Sequence, residues 1–149
     1  MSLDIEAAKT LAVKWLAASD KTEAEIRVRL ERKGFEQEVI TSALLELKER
    51  RWLDDARVLE READQARLSP VIGVEKARHK MLQRGLDDDA VAAELENWEP
   101  DEEATKAESF LRRKMIENPA QAARLLAARG FQEEAIRTAL DRVFPDWES

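Results

Sequence analysis

The sequence predicts an all-α fold: three tandem three-helix repeats stacked into an elongated, curved molecule. Three observations predict it. First, a helical run ending in a basic residue, a glycine and a large apolar residue occurs three times: Leu30-Glu-Arg-Lys-Gly34-Phe35, Met81-Leu-Gln-Arg-Gly85-Leu86 and Leu126-Ala-Ala-Arg-Gly130-Phe131. Second, these glycines stand 51 and 45 residues apart, and three of the chain's four glycines hold this one position. An internal repeat of that period sets the architecture. Third, apolar residues recur around each glycine at steps of three and four, the helical period.

The elements follow in order. Eight and four residues before the glycines stand Ile26, Ala77 and Ala122, then Leu30, Met81 and Leu126. After the glycines come Phe35, Leu86 and Phe131, then Ile40, Val91 and Ile136, then Leu44, Leu95 and Leu140, then Leu47, Trp98 and Val143. Each repeat therefore holds two amphipathic helices flanking its glycine. A further helical run precedes each pair, near 3–18, 55–68 and 101–117, and in the first of these Ile5, Ala8, Leu11, Ala12, Trp15 and Leu16 form one stripe. The glycine has a physical cause. The last turn of a helix leaves carbonyls without partners, and a left-handed residue just past the cap turns the chain back to satisfy them. Lys33, Arg84 and Arg129 stand at the negative end of the helix before it, and the acidic-polar triplets Glu36-Gln-Glu38, Asp87-Asp-Asp89 and Gln132-Glu-Glu134 at the positive end of the helix after it. Thr22-Glu-Ala-Glu25 is a capping box opening the middle helix of the first unit. Ser69-Pro70 and Asn118-Pro119 break the chain before the middle helices of the other two. The units span 1–54, 55–100 and 101–149. A unit of that size is marginal alone, so the units must pack on one another.

Composition narrows the function. With 44% hydrophobic residues the chain can bury a core, and its 38% charged residues mix both signs. There is no cysteine, which removes disulfides, thiol catalysis and thiolate metal sites. Acidic residues stand near the start where a signal peptide carries basic ones, and no apolar run approaches the roughly 20 residues that span a bilayer. A cytoplasmic protein without membrane contact is expected. Net charge is −7, and the three units carry −1, −4 and −2. No unit is basic, so long-range attraction to nucleic acid is weak and a protein partner is the simpler inference.

No residue pattern points to chemistry. His79 is the sole histidine, which leaves zinc without a ligand set. Asp54-Asp55 and Asp87-Asp-Asp89 read as helix caps, since calcium-loop spacing is missing. The glycines stand singly, with no phosphate-cradling loop. Trp15 and Trp98 read as core, whereas Trp52 follows Arg50-Arg51 and is expected to be partly exposed. No catalytic residue, cofactor, metal or small-molecule substrate is expected. The candidate partner-binding surface is the set of cations on the repeated helices: Arg27, Arg29 and Arg32; Arg78 and Lys80; Arg124; and the cluster Arg112, Arg113 and Lys114. A helix dipole alone accounts for cations in a last turn. Arg27 and Arg29 lie outside it.

The ordered motifs, Thr22-Glu-Ala-Glu25-Ile, Leu30-Glu-Arg-Lys-Gly34-Phe35, Val39-Ile40 and Leu53-Asp54-Asp55-Ala-Arg57, with Leu125-Leu-Ala-Ala-Arg-Gly130-Phe131 and Ile136 in the third unit, resemble the RecX family of bacterial recombinase regulators. The resemblance covers nearly the whole chain. It implies a modulator that binds RecA–DNA filaments, lodges in their groove, limits extension and depresses ATPase and strand exchange in DNA repair and the SOS response; the chain itself is expected to be a monomer. The chain departs from the family where a glycine- and lysine-rich stretch usually enters the second unit: here it reads Ala66-Arg-Leu-Ser-Pro70-Val-Ile-Gly73-Val. Direct DNA contact there is correspondingly disfavoured. The rival readings are a helix–turn–helix DNA-binding protein and a helical adaptor for another protein partner.

Overall fold

The structure, a computed structural model, describes residues 2–147. Among them nine helices follow one another without a strand: α1 (Ser2–Ala18), α2 (Glu23–Arg32), α3 (Gln37–Glu49), α4 (Asp55–Leu68), α5 (Val74–Gln83), α6 (Asp88–Glu96), α7 (Pro100–Lys114), α8 (Pro119–Ala128) and α9 (Glu133–Val143). These are the nine helices that the periodicity predicts. One ends early. The run expected to reach 117 stops at Lys114, because Met115 turns left-handed at φ 55° and the Ile116 N–H closes onto the Leu111 carbonyl. Arg51 does the same after α3 at φ 63°, with the Trp52 N–H on the Leu47 carbonyl at 2.9 Å. Neither stop has a glycine, so neither shows in the sequence.

The three repeated glycines take φ 92°, 84° and 87° at Gly34, Gly85 and Gly130. At the first corner the Phe35 N–H reaches the Leu30 carbonyl and the Gly34 N–H reaches that of Glu31. Phe131 and Gly130 repeat this pair of bonds on Leu126 and Ala127. These are the two bonds of a Schellman cap, and they satisfy carbonyls that the helix leaves open.

The chain divides into two compact units. The first runs to Glu60 and also takes in Gln83–Asp87; the second comprises Arg61–Leu82 and the chain from Asp88 onward. In the first unit, Ala8 and Ala12 of α1, Ile26 and Leu30 of α2, and Val39, Ile40, Ala43, Leu44 and Leu47 of α3 close one core. Trp15 and Phe35 pack against its edge, half-buried. In the second unit Ala107, Phe110 and Leu111 of α7 meet Ala122 and Leu126 of α8, Phe131, and Ala139 and Leu140 of α9. Each fully buried Leu, Ile or Phe is worth about 1.5–3 kcal/mol relative to exposure, so the stripes carry the fold. The expected inward positions are buried at Ile26, Ala77 and Ala122, at Leu30, Met81 and Leu126, and at Leu44, Leu95 and Leu140. Ile136 is only half-buried, and Ala135 beside it takes the buried place.

Within each unit a glycine corner sits on the first turn of a middle helix. In the first unit, the hydroxyl of Thr22, N-cap of α2, donates to the Arg84 carbonyl at 2.5 Å, while Gly85 lies against Ala24. In the second, the amide of Gly73, just before α5, donates to the Arg129 carbonyl at 2.9 Å, and the Glu75 N–H donates to Gly130 at 2.8 Å. Both contacts join the residue before a middle helix to the carbonyl of the basic residue before a glycine. The fourth glycine is explained here. A Cβ on Gly73 would fall on the backbone of Gly130 and Phe131. A carboxylate completes each junction. Asp55 accepts from the Glu23 N–H at 2.9 Å, and Glu103 accepts from the Val74 N–H at 2.6 Å. Asp54, by contrast, caps its own helix, accepting from the Arg57 N–H at 3.2 Å.

Candidate functional site

The candidate cations separate into distinct settings. On α2, residues 25, 28, 29 and 32 share a face by helical spacing. That face borders a groove of about 410 Å³ lined by Lys21, Glu25, Val28, Arg29, Arg32 and Arg84 among others. Val28 is exposed there, an apolar side chain among cations. Arg29 lies over the Trp15 ring, 5.5 Å from its centroid, which fixes the guanidinium while leaving it exposed. Arg84 is held by both carboxylate oxygens of Glu25, at 2.9 and 3.1 Å, and donates to the Asp20 carbonyl. The same Glu25 accepts from the Thr22 N–H in the capping box. Burial pushes the Glu25 carboxyl up, but the Arg84 and Thr22 bonds outweigh it and hold the group below its ordinary value. Arg27 is elsewhere: it turns toward the start of α3 and donates to Gln37 at 3.3 Å. The structure thus joins Arg29 and Arg32 in one groove and sets Arg27 apart; because α2 ends at Arg32, Arg29 falls within its last turn and not outside it as the sequence suggests.

In the second unit the cations are dispersed. Arg78 pairs with Glu75 at 3.4 Å and borders a groove of about 330 Å³ whose other charged residues are Glu96, Glu99 and Glu103. In the cluster on α7, Arg112 is bound to Glu108 and to the Arg142 carbonyl, and Arg113 donates to the Pro70 carbonyl. Lys114 is exposed, as are Lys80, His79 and Arg124. Trp52 is exposed by 42%, as its neighbours Arg50 and Arg51 suggest.

Sequence reading missed two charged side chains set into the second unit, Glu103 buried and Lys106 half-buried. Glu103 of α7 is 7% exposed and accepts from two helix starts, Val74 of α5 and Gln132 at the head of α9. Burial pushes its carboxyl above the ordinary value in spite of those two bonds. Lys106, one turn on, donates to the Ala66 and Ile72 carbonyls at 3.0 and 2.9 Å, and burial pushes its ammonium down. Perturbed groups of this kind often mark active sites. Here every hydrogen-bond partner is a helix end or a loop carbonyl, and the Lys106 ammonium also lies over the Trp98 ring, so the arrangement ties elements together. Among the described residues no group of three His, Cys, Asp or Glu could hold a metal ion. No helix of theirs is long and apolar enough to cross a membrane.

The family model described as RecX, first three-helix domain, matches residues 8–47. The chain is 33% identical over 138 residues to a protein named Regulatory protein RecX from Stenotrophomonas maltophilia (strain R551-3), a match covering 88% of this chain and 83% of that one. A Regulatory protein RecX from Chromohalobacter salexigens is 30% identical over 145 residues, 93% of this chain and 91% of the relative. The Streptococcus mutans protein of that name is 27% identical, and the match spans only 54% of its length. Among solved structures, the crystal structure of RecX from Lactobacillus salivarius superposes with a TM-score of 0.86 over 96% of this chain and 98% of that one, at 15% identity. At that identity the likeness establishes the fold.

Proposed function

The chain belongs to the RecX family of regulatory proteins, and from that premise we propose that it regulates homologous recombination by binding filaments of the RecA recombinase on DNA. It acts in the cytoplasm by occupancy, restraining filament extension, ATP turnover and strand exchange. The observation that carries this is the relationship to RecX proteins along 88% or more of the chain. Three repeats, 1–54, 55–100 and 101–149, are the units we infer would meet a filament whose own subunits repeat, each with its own set of exposed cations. Binding energy spent on one filament state draws the population toward it.

The face of α2 that carries Val28, Arg29 and Arg32 is the contact best supported by geometry. Arginine is among the residue types enriched at the anchoring points of protein interfaces, and Arg29 is held in place there by the Trp15 ring. Net charge of −7 disfavours bare DNA as the primary target. The test is RecA ATPase on single-stranded DNA with increasing amounts of the chain. A dose-dependent fall is expected, and no change in either filament binding or ATPase refutes the reading. Charge reversal at Arg29 and Arg32 should weaken filament binding with helical content unchanged. If Arg112, Arg113 and Lys114 matter instead, the regulator reading stands and the surface moves. Equal affinity for bare DNA and for filament, with a steep salt dependence, would favour a DNA-binding protein.

A further inference from the structure

Among the described residues the repeat junction is used twice, and each half of it also stands once without a partner. The corner half recurs at Lys33-Gly34-Phe35. A Cβ built on Gly34 meets nothing within 4 Å, whereas Gly85 and Gly130 are pressed against Ala24 and Lys76. Phe35 is half-buried, while its equivalents Leu86 and Phe131 are buried at 5% and 4% exposure. An open groove of about 540 Å³ borders this corner. The receiving half recurs at the first turn of α8. Counting from Ile26, Ala77 and Ala122, the residue equivalent to Thr22 and Gly73 is Asn118. Asn118, Ala120 and Gln121 are exposed.

The two unpartnered halves match each other. Corner one, Lys-Gly-Phe, has the pattern of corner three, Arg-Gly-Phe. The α8 turn has the pattern of the α2 turn: a polar N-cap, alanine two residues on, and a Glu or Gln after it. Thr22 accepts from the Glu25 N–H and donates to the Arg84 carbonyl through one side chain. Asn118 already accepts from the Gln121 N–H at 3.0 Å, and its amide NH2 remains a donor for a carbonyl such as that of Lys33. Ala120 offers a glycine the same small surface as Ala24 offers Gly85. Pro119 has no N–H. The carboxylate that completes the junction on α2 and α5 therefore has no counterpart to satisfy on α8, and the corner alone suffices.

We propose that a second copy of this chain docks head to tail, placing its Gly34 corner on the first turn of α8. The contact is heterologous, so each docked copy presents the same free halves again and the association is open-ended. It is weak, because Lys33 facing Gln121 replaces the bidentate Arg84–Glu25 pair. Dilute chains are monomers, and crowding side by side on a surface favours the contact. The proposal stands independently of what that surface is.

The absence of cysteine makes the test direct. Lys33→Cys and Gln121→Cys are prepared as separate full-length chains; both positions are exposed or at a helix surface, and their equivalents Arg84 and Glu25 bond at 2.9 Å. Mixed at millimolar concentration with a short bis-maleimide, the two should give a covalent dimer that neither gives alone. Adding Ala120→Arg to the Gln121→Cys chain puts a long side chain where Gly34 would lie and should abolish the product, with circular dichroism unchanged. The proposal is overturned if the mixture yields no more dimer than the separate variants, or if Ala120→Arg leaves the yield intact.

Discussion

In the first compact unit the glycine corner at 84–86 docks through side chains; in the second the corner at 129–131 docks through the backbone. The Thr22 hydroxyl, the Arg84 guanidinium and the Glu25 carboxylate make the first contact, around a glycine that faces a methyl group. Gly73 and Glu75 amides on the Arg129 and Gly130 carbonyls make the second, where no side chain fits between the chains. Position and topology of the contact are alike, and the chemistry differs. A side-chain junction tolerates adjustment, because rotamers can move. A backbone junction does not, because the main chain of two helices would have to part.

The largest expected effect follows from that rigidity. Gly73→Ala and Gly130→Ala each put a Cβ on backbone atoms. Their cost in chemical denaturation should reach or exceed the ~3 kcal/mol upper end of ordinary overpacking. For Gly130→Ala a left-handed penalty of roughly 1–2 kcal/mol adds to it. Gly85→Ala should cost less, since its Cβ meets the Ala24 methyl and the nearest backbone atom is 3.8 Å away. The double change Gly85→Ala with Ala24→Gly removes the collision and should recover part of the loss. Failure of that rescue, or a Gly73→Ala cost below that of Gly85→Ala, would break the distinction between the junctions.

The same difference decides what was legible. The three corner glycines, the nine helices and the buried stripes all follow from local spacing and cap chemistry, and so does the Thr22 capping box. Gly73 does not, because its neighbour Phe131 is distant in sequence and nothing local requires a glycine there. Glu103 was illegible for a related reason: it sits on the first turn of α7 like any acidic residue favoured by the helix dipole, yet it serves two other helices. The stops at Arg51 and Met115 lacked the glycine that marks the others. Of the candidate surface, the sequence marks the cations, but the separation of Arg27 from Arg29 and Arg32 depends on Trp15 and Gln37.

A smaller effect tests the junctions by their acids. Glu25 is held below the ordinary glutamate value of 4.5, so the stability it contributes is present above 4.5 and is lost as pH falls through its folded value. Glu103 is pushed above 4.5 by burial. The folded state then takes up a proton more readily than the unfolded one, so its contribution is full below 4.5 and falls as pH rises through the folded value. Glu25→Gln should therefore cost most near neutrality and lose its cost on acidification. Glu103→Gln leaves one buried N–H without an acceptor, on the order of 1–3 kcal/mol, and its cost should grow on acidification. Denaturation midpoints of both variants across that pH range settle the matter, and parallel slopes would show that the two carboxylates are not held in opposite ways.

The smallest effect belongs to the corner with no junction. Gly34 has the same left-handed backbone as Gly85 and Gly130, at φ 92°, but an added Cβ there touches nothing. Gly34→Ala therefore isolates the conformational term, roughly 1–2 kcal/mol for an L-residue in that region. Gly34→Asn should cost less still, because asparagine enters the left-handed region more readily. The alanine value serves as the baseline to subtract from Gly85→Ala and Gly130→Ala, leaving the collision alone in each. In dilute solution the Gly34 series should show no dependence on protein concentration, since the corner is then bare. A Gly34→Ala cost equal to that of Gly130→Ala would mean that left-handed strain accounts for the whole series, and that the docking of a corner on a helix start contributes nothing to its demand for glycine.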